Sequence, residues 1–284
     1  MRKLLTVAAL ALFPGFVSAC SSTPALPEQS SRPTSRPAQD AAAKFDHEHT
    51  QWTAILKKHV DGDRFDYAAI QKDPSALDAY IATLNAVTSQ QLQSWTEDQR
   101  MAFWINVYNA NTVKLVSGKY PLKSIRDLGT VLNKVWNKRF IDMPALNPSG
   151  KNKKLSLDDV EHKILRPRFE DARVHAAVNC ASESCPPLRA EAFVAKRLDA
   201  QLDEQVRLWL ADETRNQFDL AGGKMRVSEI FKWFKEDFVR DGQSVAGWIA
   251  EYAPDKVAEA LKSGTKLKLG YLDYSWKLND VKKK

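Results

Sequence analysis

The sequence predicts an α+β protein, a helix-rich single domain with a small antiparallel or mixed sheet, behind an N-terminal export segment. Apolar residues recur at helical spacing through most of residues 44–284, and a hairpin and one further extended run give the main strand signals. Neither a second linker nor an internal repeat interrupts this region. We therefore expect residues 44–284 to form one globular domain.

Residues 1–19 have the layout of a secretory signal peptide. The basic pair Arg2-Lys3 precedes an apolar run, and the tetrad VSAC ends at Cys20. The run is shorter than the roughly 20 apolar residues of a permanent membrane helix. The tetrad resembles the bacterial lipobox, which predicts a lipoprotein with acyl chains such as palmitate on Cys20. Ser21 resembles the residue that directs Gram-negative lipoproteins to the outer membrane, facing the periplasm, rather than to the inner membrane.

Residues 20–43 are predicted to be the lipidated cysteine and a disordered Ser/Pro-rich tether. The formal net charge of +7 would drop by two when Arg2 and Lys3 leave with the signal. The remaining basic residues are mostly interspersed with acids, so no nucleic-acid partner is expected. We expect the membrane as a partner through the lipid on Cys20, with an envelope protein or polysaccharide as a further partner and no cofactor.

Helices dominate the first half of the domain. They are predicted over 47–60, from Pro74 onward, over 88–95 and over 97–116. The last has a capping-box pattern at Thr96 and Gln99, and its segment FWINVYNANTV is apolar nearly all round, as a buried helix is. Asn106 and Asn109 lie on one turn of it. Buried amides need hydrogen bonds, so we expect a structural role for both, with a place beside a site as the alternative.

The second half mixes helices and strands. We expect 136–143 to be extended and Leu155 to be paired. Ser156 should cap a helix over 158–165, which carries Glu161 and His162. Arg166-Pro167-Arg168 is expected to leave this helix, as the start of the next segment. A long helix is predicted over 191–210, a hairpin over 218–227, helices over 229–234, 244–252 and 255–262, and a final strand over 267–272.

The stretch RVHAAVNCASESCPPL, from Arg173 to Leu188, is the centre of the functional hypotheses. Its alternation predicts a strand with His175, Ala177 and Asn179 on one face and Cys180 on the other. A loop would then bring Cys185 back. Besides Cys20 these are the chain's only cysteines. Thiol chemistry, a disulfide or soft-metal binding would therefore have to occur here.

Six blocks in order resemble the domain of unknown function 547 (DUF547) family and cover nearly all of 52–279. They are FWINVYNA, YPLKSIRDLG, LSLDDVEHKILRPRF, RVHAAVNCASESCPPL, SEIFKWFKEDF and YSWKLND. The resemblance implies an exported, helix-rich α+β domain and little about chemistry, because no activity is established for the family. The residues matching its signature blocks are Trp104, Asn106, Tyr108, Asn109, Glu161, His162, Arg166, His175, Asn179, Cys180, Cys185 and Pro186.

Two functional hypotheses stand first. One is a binding or structural module with a Cys180–Cys185 disulfide, favoured because paired cysteines of exported proteins are usually bridged. The other is a cysteine hydrolase or acyl transferase, of peptidase, amidase or transglutaminase type. In it Cys180 would be the nucleophile and His162 or His175 its base, with Asn179, Asn106 or Glu161 as the orienting group. That layout would be papain- or transglutaminase-like, although those enzymes usually place the cysteine at a helix N-terminus.

Metal binding is the remaining alternative. Zinc could be held by Cys180, Cys185, His162 and His175, but their spacing matches no standard zinc motif. His47, Glu48, His49 and His59 are expected to be a solvated helix face rather than a metal cluster. We therefore predict no metal site.

Overall fold

A helical layer opens the domain. The structure, a computed structural model, describes residues 44–130, 134–150 and 153–281, so the predicted signal peptide, Cys20 and the tether lie outside the described residues. The first elements are α1 (Thr50–His59), β1 (Val60–Asp61), β2 (Arg64–Phe65), α2 (Tyr67–Lys72), α3 (Ser75–Asn85) and α4 (Ser89–Ser94). The two short strands pair antiparallel. Asp66 caps α2, a helix not predicted from the sequence, by accepting the Ala69 N–H at 2.9 Å.

The long helix α5 (Glu97–Ser117) is buried on all sides, as predicted. Its capping box is present, since the Thr96 hydroxyl accepts the Gln99 N–H at 3.2 Å and the Gln99 side chain accepts the Thr96 N–H at 2.9 Å. Every residue from Met101 to Val113 is buried. The helix is thus the centre of the larger of two hydrophobic clusters.

The segment after α5 contains three 3₁₀ helices, at Ile125–Leu128, Val135–Asn137 and Pro144–Leu146. The prediction of an extended 136–143 is wrong for its first part, because Trp136 belongs to the second of these helices. Ile141 alone pairs there, through an antiparallel bridge to Leu155. The predicted pairing of Leu155 is confirmed.

Ser156 caps α6 (Leu157–Val160), which continues as a π-helix (Glu161–Leu165) and then as α7 (Arg166–Phe169). The prediction that Arg166-Pro167-Arg168 leaves the helix is therefore wrong. Pro167 falls in the first turn of α7, where a missing N–H is tolerated.

The predicted strand at 174–179 is wrong: α8 (Val174–Ala177) is a short helix, and only the residues after it are extended. All six residues from Val174 to Asn179 are buried. Val174 and Ala177 join the larger hydrophobic cluster, whereas Ala176 joins the second. An alternation of residue types in the sequence does not indicate a strand when both sides of the segment are buried in the protein.

Helix α9 (Leu198–Ala211) begins later than the predicted residue 191. Side chains bind the backbone N–H groups that precede it. Phe193 N–H donates to Asn106 at 3.2 Å, and Val194 N–H donates to Gln201 at 2.8 Å. These side chains, which are distant in sequence or later in α9, hold the segment in a loop conformation. The periodicity of the sequence carries no information about such tertiary contacts.

The C-terminal part confirms the predicted mixed sheet. Its elements are β3 (Gln217–Asp219), β4 (Lys224–Val227), α10 (Ile230–Trp233), α11 (Lys235–Phe238), α12 (Val245–Tyr252), α13 (Asp255–Lys262) and β5 (Lys268–Tyr271). The strand order is β3-β4-β5, with β4 antiparallel to β3 and parallel to β5. The fold is thus a helix-rich α+β domain with small sheets. Within its described part, no helix combines the length and apolarity needed to span a bilayer.

Candidate functional site

A cleft of about 1430 Å³ lies where α5, the π-helix, the end of α8 and α10 meet the C-terminal segment. Its lining has three parts. The aromatic ledge is Trp136, Trp233, Tyr274 and Trp276. The basic rim is Lys123, Arg126, Lys134 and Lys277. The acid–histidine wall is Asp158, Glu161, His162 and His175. The two cysteines, Cys180 and Cys185, also line the cleft.

The aromatic ledge is a continuous set of ring contacts. Trp276 has its ring centroid 4.6 Å from that of Tyr274 and 5.2 Å from that of Trp136. The Trp233 and Trp276 rings stack within 16°, with their centroids 5.8 Å apart. Trp233 also contacts Tyr274 at 4.7 Å. Its side chain stays 42% exposed. The ledge therefore offers flat apolar faces to whatever enters the cleft.

Cys180 and Cys185 form a disulfide, with their Cα atoms 6.3 Å apart. The Cys180 N–H also donates to the Cys185 sulfur at 3.0 Å. The Tyr274 hydroxyl lies 3.4 Å from one sulfur and 3.3 Å from the other, which joins the bridge to the aromatic ledge. Burial raises the pKa of Tyr274 far above its usual value, so this hydroxyl stays protonated and available as a donor.

Arg215 fixes the loop that the disulfide closes. Its guanidinium is buried and donates to the carbonyl oxygens of Cys185 at 2.7 Å and Glu183 at 2.6 Å. Asp63 at 3.0 Å and the closer Asp212 balance its charge. A buried arginine is tolerated only with such partners. Nothing in the sequence pattern predicted this role, because its partners other than Asp212 come from two distant segments, at Asp63 and in the loop that contains Glu183 and Cys185.

His175 is held in place by the carboxylate of Asp237. Its Nε2–H donates to Asp237 at 2.7 Å, and its ring stacks on Phe234 with centroids 4.3 Å apart. Burial alone would raise the pKa of Asp237. Hydrogen bonds and charge from His175 and Arg166 outweigh it and hold this pKa well below its usual range. Asp237 therefore stays ionised and fixes both the tautomer and the orientation of His175.

The π-helix positions Glu161 and His162 on the same wall. His162 Nδ1 accepts from Arg166 at 3.1 Å, and its Nε2 lies 3.6 Å from Asp158. Glu161 is buried and is hydrogen-bonded to the phenol of Tyr108. Burial first, and the Glu161 charge second, raise the pKa of Tyr108 well above its usual value. π-Turns within helices often mark functional positions, because they shift the side chains that face a site.

Three asparagines considered from the sequence lie behind the cleft. Asn106 exchanges two hydrogen bonds with the Phe193 backbone, at 2.7 and 3.2 Å. Asn109 donates to the Ala177 carbonyl at 2.9 Å and accepts the Asn179 N–H at 2.8 Å. Asn179 in turn donates to the Pro186 carbonyl at 2.8 Å. None of the three lines the cleft. The Asn106 amide instead connects α5 to the segment before α9, and the Asn109 and Asn179 amides connect it to the loop that carries the cysteines.

The structure thus brings five candidate residues to one cleft: Glu161, His162, His175, Cys180 and Cys185. Within the described part of the chain, neither imidazole hydrogen-bonds a sulfur; the polar neighbours of the Cys180 sulfur are the hydroxyls of Ser182 and Tyr274. The zinc hypothesis needs two free thiolates, whereas here the sulfurs are bonded to each other.

A search of residues 44–130, 134–150 and 153–281 finds no group of three His, Cys, Asp or Glu side chains placed to hold a metal ion. The expectation of a solvated face at 47–59 is wrong for His49, which is buried and contacts the Tyr80 hydroxyl at 2.7 Å. Burial lowers the pKa of His49 to about 4. Its role is therefore to pack α1 against α3.

The aromatic ledge and the basic rim were missed as functional residues. Trp233 and Trp276 were noted only as parts of the blocks FKWF and YSWKL. One signal was present: each tryptophan has a lysine beside it in the sequence. The fully buried Phe231 also has a lysine beside it, so this signal does not by itself distinguish a ledge residue from a core residue.

Fold and cleft together define a helix-rich α+β domain with a disulfide-braced, aromatic-lined cleft. Residues 92–210 match the family model described as "Protein of unknown function, DUF547", which supports a DUF547 domain in this chain. The match includes α5, the π-helix and the disulfide loop, while three of the four ledge residues lie beyond it. No curated protein and no solved structure gives a significant match.

Proposed function

We propose that this protein is a lipid-anchored binding module of the cell envelope whose cleft takes a polysaccharide chain. The observation that carries the proposal is the aromatic ledge, in which Trp233 is 42% exposed and the other three rings are partly buried. Large aromatic surfaces are normally buried, and exposed apolar patches beside a cleft usually mark a binding site. A pyranose ring presents C–H groups on its flat faces and hydroxyls at its edge. Its faces can therefore stack on the exposed Trp233, which Trp276 supports through its own ring.

The acid–histidine wall supports the same ligand class. Asp158 and Glu161 offer carboxylate oxygens, which accept hydrogen bonds from sugar hydroxyls. The cleft volume of about 1430 Å³ exceeds the 300–1,000 Å³ typical of pockets for small ligands. Several linked sugars fit such a space better than one small molecule does.

The location follows from the N-terminal pattern. The tetrad ending at Cys20 supports lipidation, and Ser21 supports the outer membrane with the domain facing the periplasm. A Ser/Pro-rich tether between lipid and domain would let the cleft reach polysaccharide near the membrane. The disulfide brace suits that oxidising compartment.

The test measures binding to purified envelope polysaccharide by tryptophan fluorescence and by co-sedimentation. Trp233→Ala and Trp276→Ala should each weaken binding about 3- to 10-fold, since one aromatic contact contributes about 0.5–1.5 kcal/mol. Leu208→Ala is the matched control, because Leu208 is 56% exposed and lies outside the cleft. Equal affinity of all four proteins, or no binding by the wild type, would contradict the proposal.

A second candidate is a cysteine hydrolase or acyl transferase that acts after reduction of the disulfide. The observation that favours it is the His175–Asp237 pair in the same cleft as Cys180. A Cys180 thiolate would attack an acyl carbonyl, release the leaving group and form a thioester that water then hydrolyses. This candidate requires p-nitrophenyl ester hydrolysis that appears with dithiothreitol and disappears in Cys180→Ala but not in Cys185→Ala.

A further inference from the structure

We infer that the polysaccharide is anionic, with carboxylate groups on its sugars. The sugar rings lie on the aromatic ledge and the carboxylates contact the basic rim. This inference rests on the proposed polysaccharide binding and adds the charge of the ligand and its orientation in the cleft.

The basic rim is attached to the aromatic ledge by direct contacts. The Arg126 guanidinium lies over the Trp276 ring, 5.5 Å from its centroid. The Lys123 carbonyl accepts the Leu278 N–H at 2.8 Å, which holds that lysine's backbone beside the end of the ledge. Lys134 and Lys277 are close in sequence to Trp136 and Trp276. A sugar ring stacked on Trp233, whose own ring stacks on Trp276, therefore has these cations within reach of its edge substituents.

Within the described part of the chain, these cations are not held in close ion pairs; Glu183 is near Lys277, but its carboxylate is bound by Arg64 and Ser275. Among the described residues, none of the four forms an ion pair within 4.0 Å, and all four are exposed. Asp127 is the acidic residue adjacent to Arg126 in sequence, but its carboxylate accepts the backbone N–H groups of Lys123 and Ser124, each at 3.0 Å. Several arginines of the domain are paired more fully. Arg173, for example, contacts Asp171, Asp199 and Asp203.

The acid–histidine wall sets the direction of the ligand. Asp158 and Glu161 would repel a carboxylate, although Asp158 lies 3.6 Å from His162 and Glu161 is buried. A cleft lined by separate sets of cations and carboxylates selects a ligand whose charged and neutral groups match them. Carboxylates of the sugar are directed to the basic rim, and neutral hydroxyls to Asp158 and Glu161.

The experiment compares one polymer in two forms: polygalacturonate and the same chain with its carboxyl groups reduced to alcohols. Muramic-acid glycan strands without peptides are the second anionic probe, because a sugar carboxylate can be a uronate or a lactyl ether. The variant is Lys123→Gln/Arg126→Gln/Lys277→Gln on the full chain. The control, Lys256→Gln/Lys262→Gln/Lys266→Gln, removes the same charge from exposed positions outside the cleft.

We expect the wild type to bind at least one anionic probe about tenfold more tightly than the reduced polymer, and the preferred probe identifies the carboxylate. The rim variant should lose about tenfold affinity for that probe, with little change for the reduced polymer. The control variant should match the wild type. Added salt should weaken only the anionic complex.

Equal binding of charged and reduced polymer by wild type and rim variant would overturn the anionic assignment but leave polysaccharide binding standing. Absence of binding to every form would overturn both.

Discussion

The amides of Asn106 and Asn109 bind backbone groups far along the chain from their own helix. Each uses both its oxygen and its nitrogen, and both residues are at most 2% exposed. Removing such an amide leaves a buried carbonyl and a buried N–H without partners. The stability of the protein therefore depends on individual buried amides whose hydrogen bonds water does not replace.

We predict that Asn106→Ala and Asn109→Ala each lower the free energy of unfolding by about 1–3 kcal/mol per stranded group. Asn111→Ala is the control. Asn111 is also buried on α5, but its amide nitrogen donates only within its own helix, to the Val107 carbonyl at 2.8 Å. Urea denaturation of the three variants should give a smaller loss for Asn111→Ala. Equal losses in all three would show that the long-range contacts contribute nothing.

The loop from Cys180 to Cys185 is the element on which the cleft depends most. The disulfide closes it, Arg215 binds two of its carbonyls, and the Glu183 N–H donates to the Lys277 carbonyl at 2.8 Å. The loop therefore connects the aromatic ledge to the core. Its backbone is held at the centre of the cleft by partners from separate parts of the chain.

We predict that Arg215→Ala lowers the free energy of unfolding by about 3–5 kcal/mol, because it removes one partner from a buried charged network. Arg168→Ala, at an exposed position of α7, should change stability by less than about 0.5 kcal/mol. Chemical denaturation monitored by circular dichroism measures both. A loss in Arg215→Ala no larger than that in Arg168→Ala would mean that the loop is stable without this residue.

Local patterns predicted elements well where local forces decide them. Thr96 and Gln99 predicted the start of α5, and the spacing of turn residues and alternation predicted the β3–β4 hairpin. The predictions failed where tertiary contacts decide. Val174 to Ala177 is helical between two hydrophobic clusters, and the residues before α9 are held by Asn106 and Gln201.

The same distinction applies to the site. Cysteine and histidine are rare in this sequence, so Cys180, Cys185 and His175 could be singled out without a structure. Trp233, Trp276 and Arg126 come from three separate segments and form a surface only after folding. Aromatic residues are common in cores, so their sequence positions alone did not indicate a binding surface.

At the scale of the whole molecule, the stability of the domain should depend on pH through His49. Burial lowers the pKa of His49 to about 4, against 6.5 for an exposed histidine. Between these values the unfolded chain binds a proton that the folded protein excludes, so stability falls as pH decreases from 6.5 to 4. Below about pH 4 this contribution no longer changes.

We predict that the wild type loses on the order of 3 kcal/mol across that range from this residue. His49→Gln should show a flatter dependence, because glutamine does not titrate. Thermal unfolding at a series of pH values from 7 to 4 measures the slope for both proteins. The same slope in the variant would show that other groups cause the dependence.

We infer that Cys180 and Cys185 brace a binding cleft and do not supply a free nucleophile. The most direct test is iodoacetamide labelling of the full chain, isolated without reductant, with mass spectrometry of the peptide that carries both cysteines. Protein reduced with dithiothreitol is the positive control and should be labelled at both positions. The account predicts no labelling of either cysteine in the unreduced protein at mildly acidic or neutral pH. Stoichiometric labelling of Cys180 at mildly acidic pH without reductant would contradict it and would favour the cysteine hydrolase.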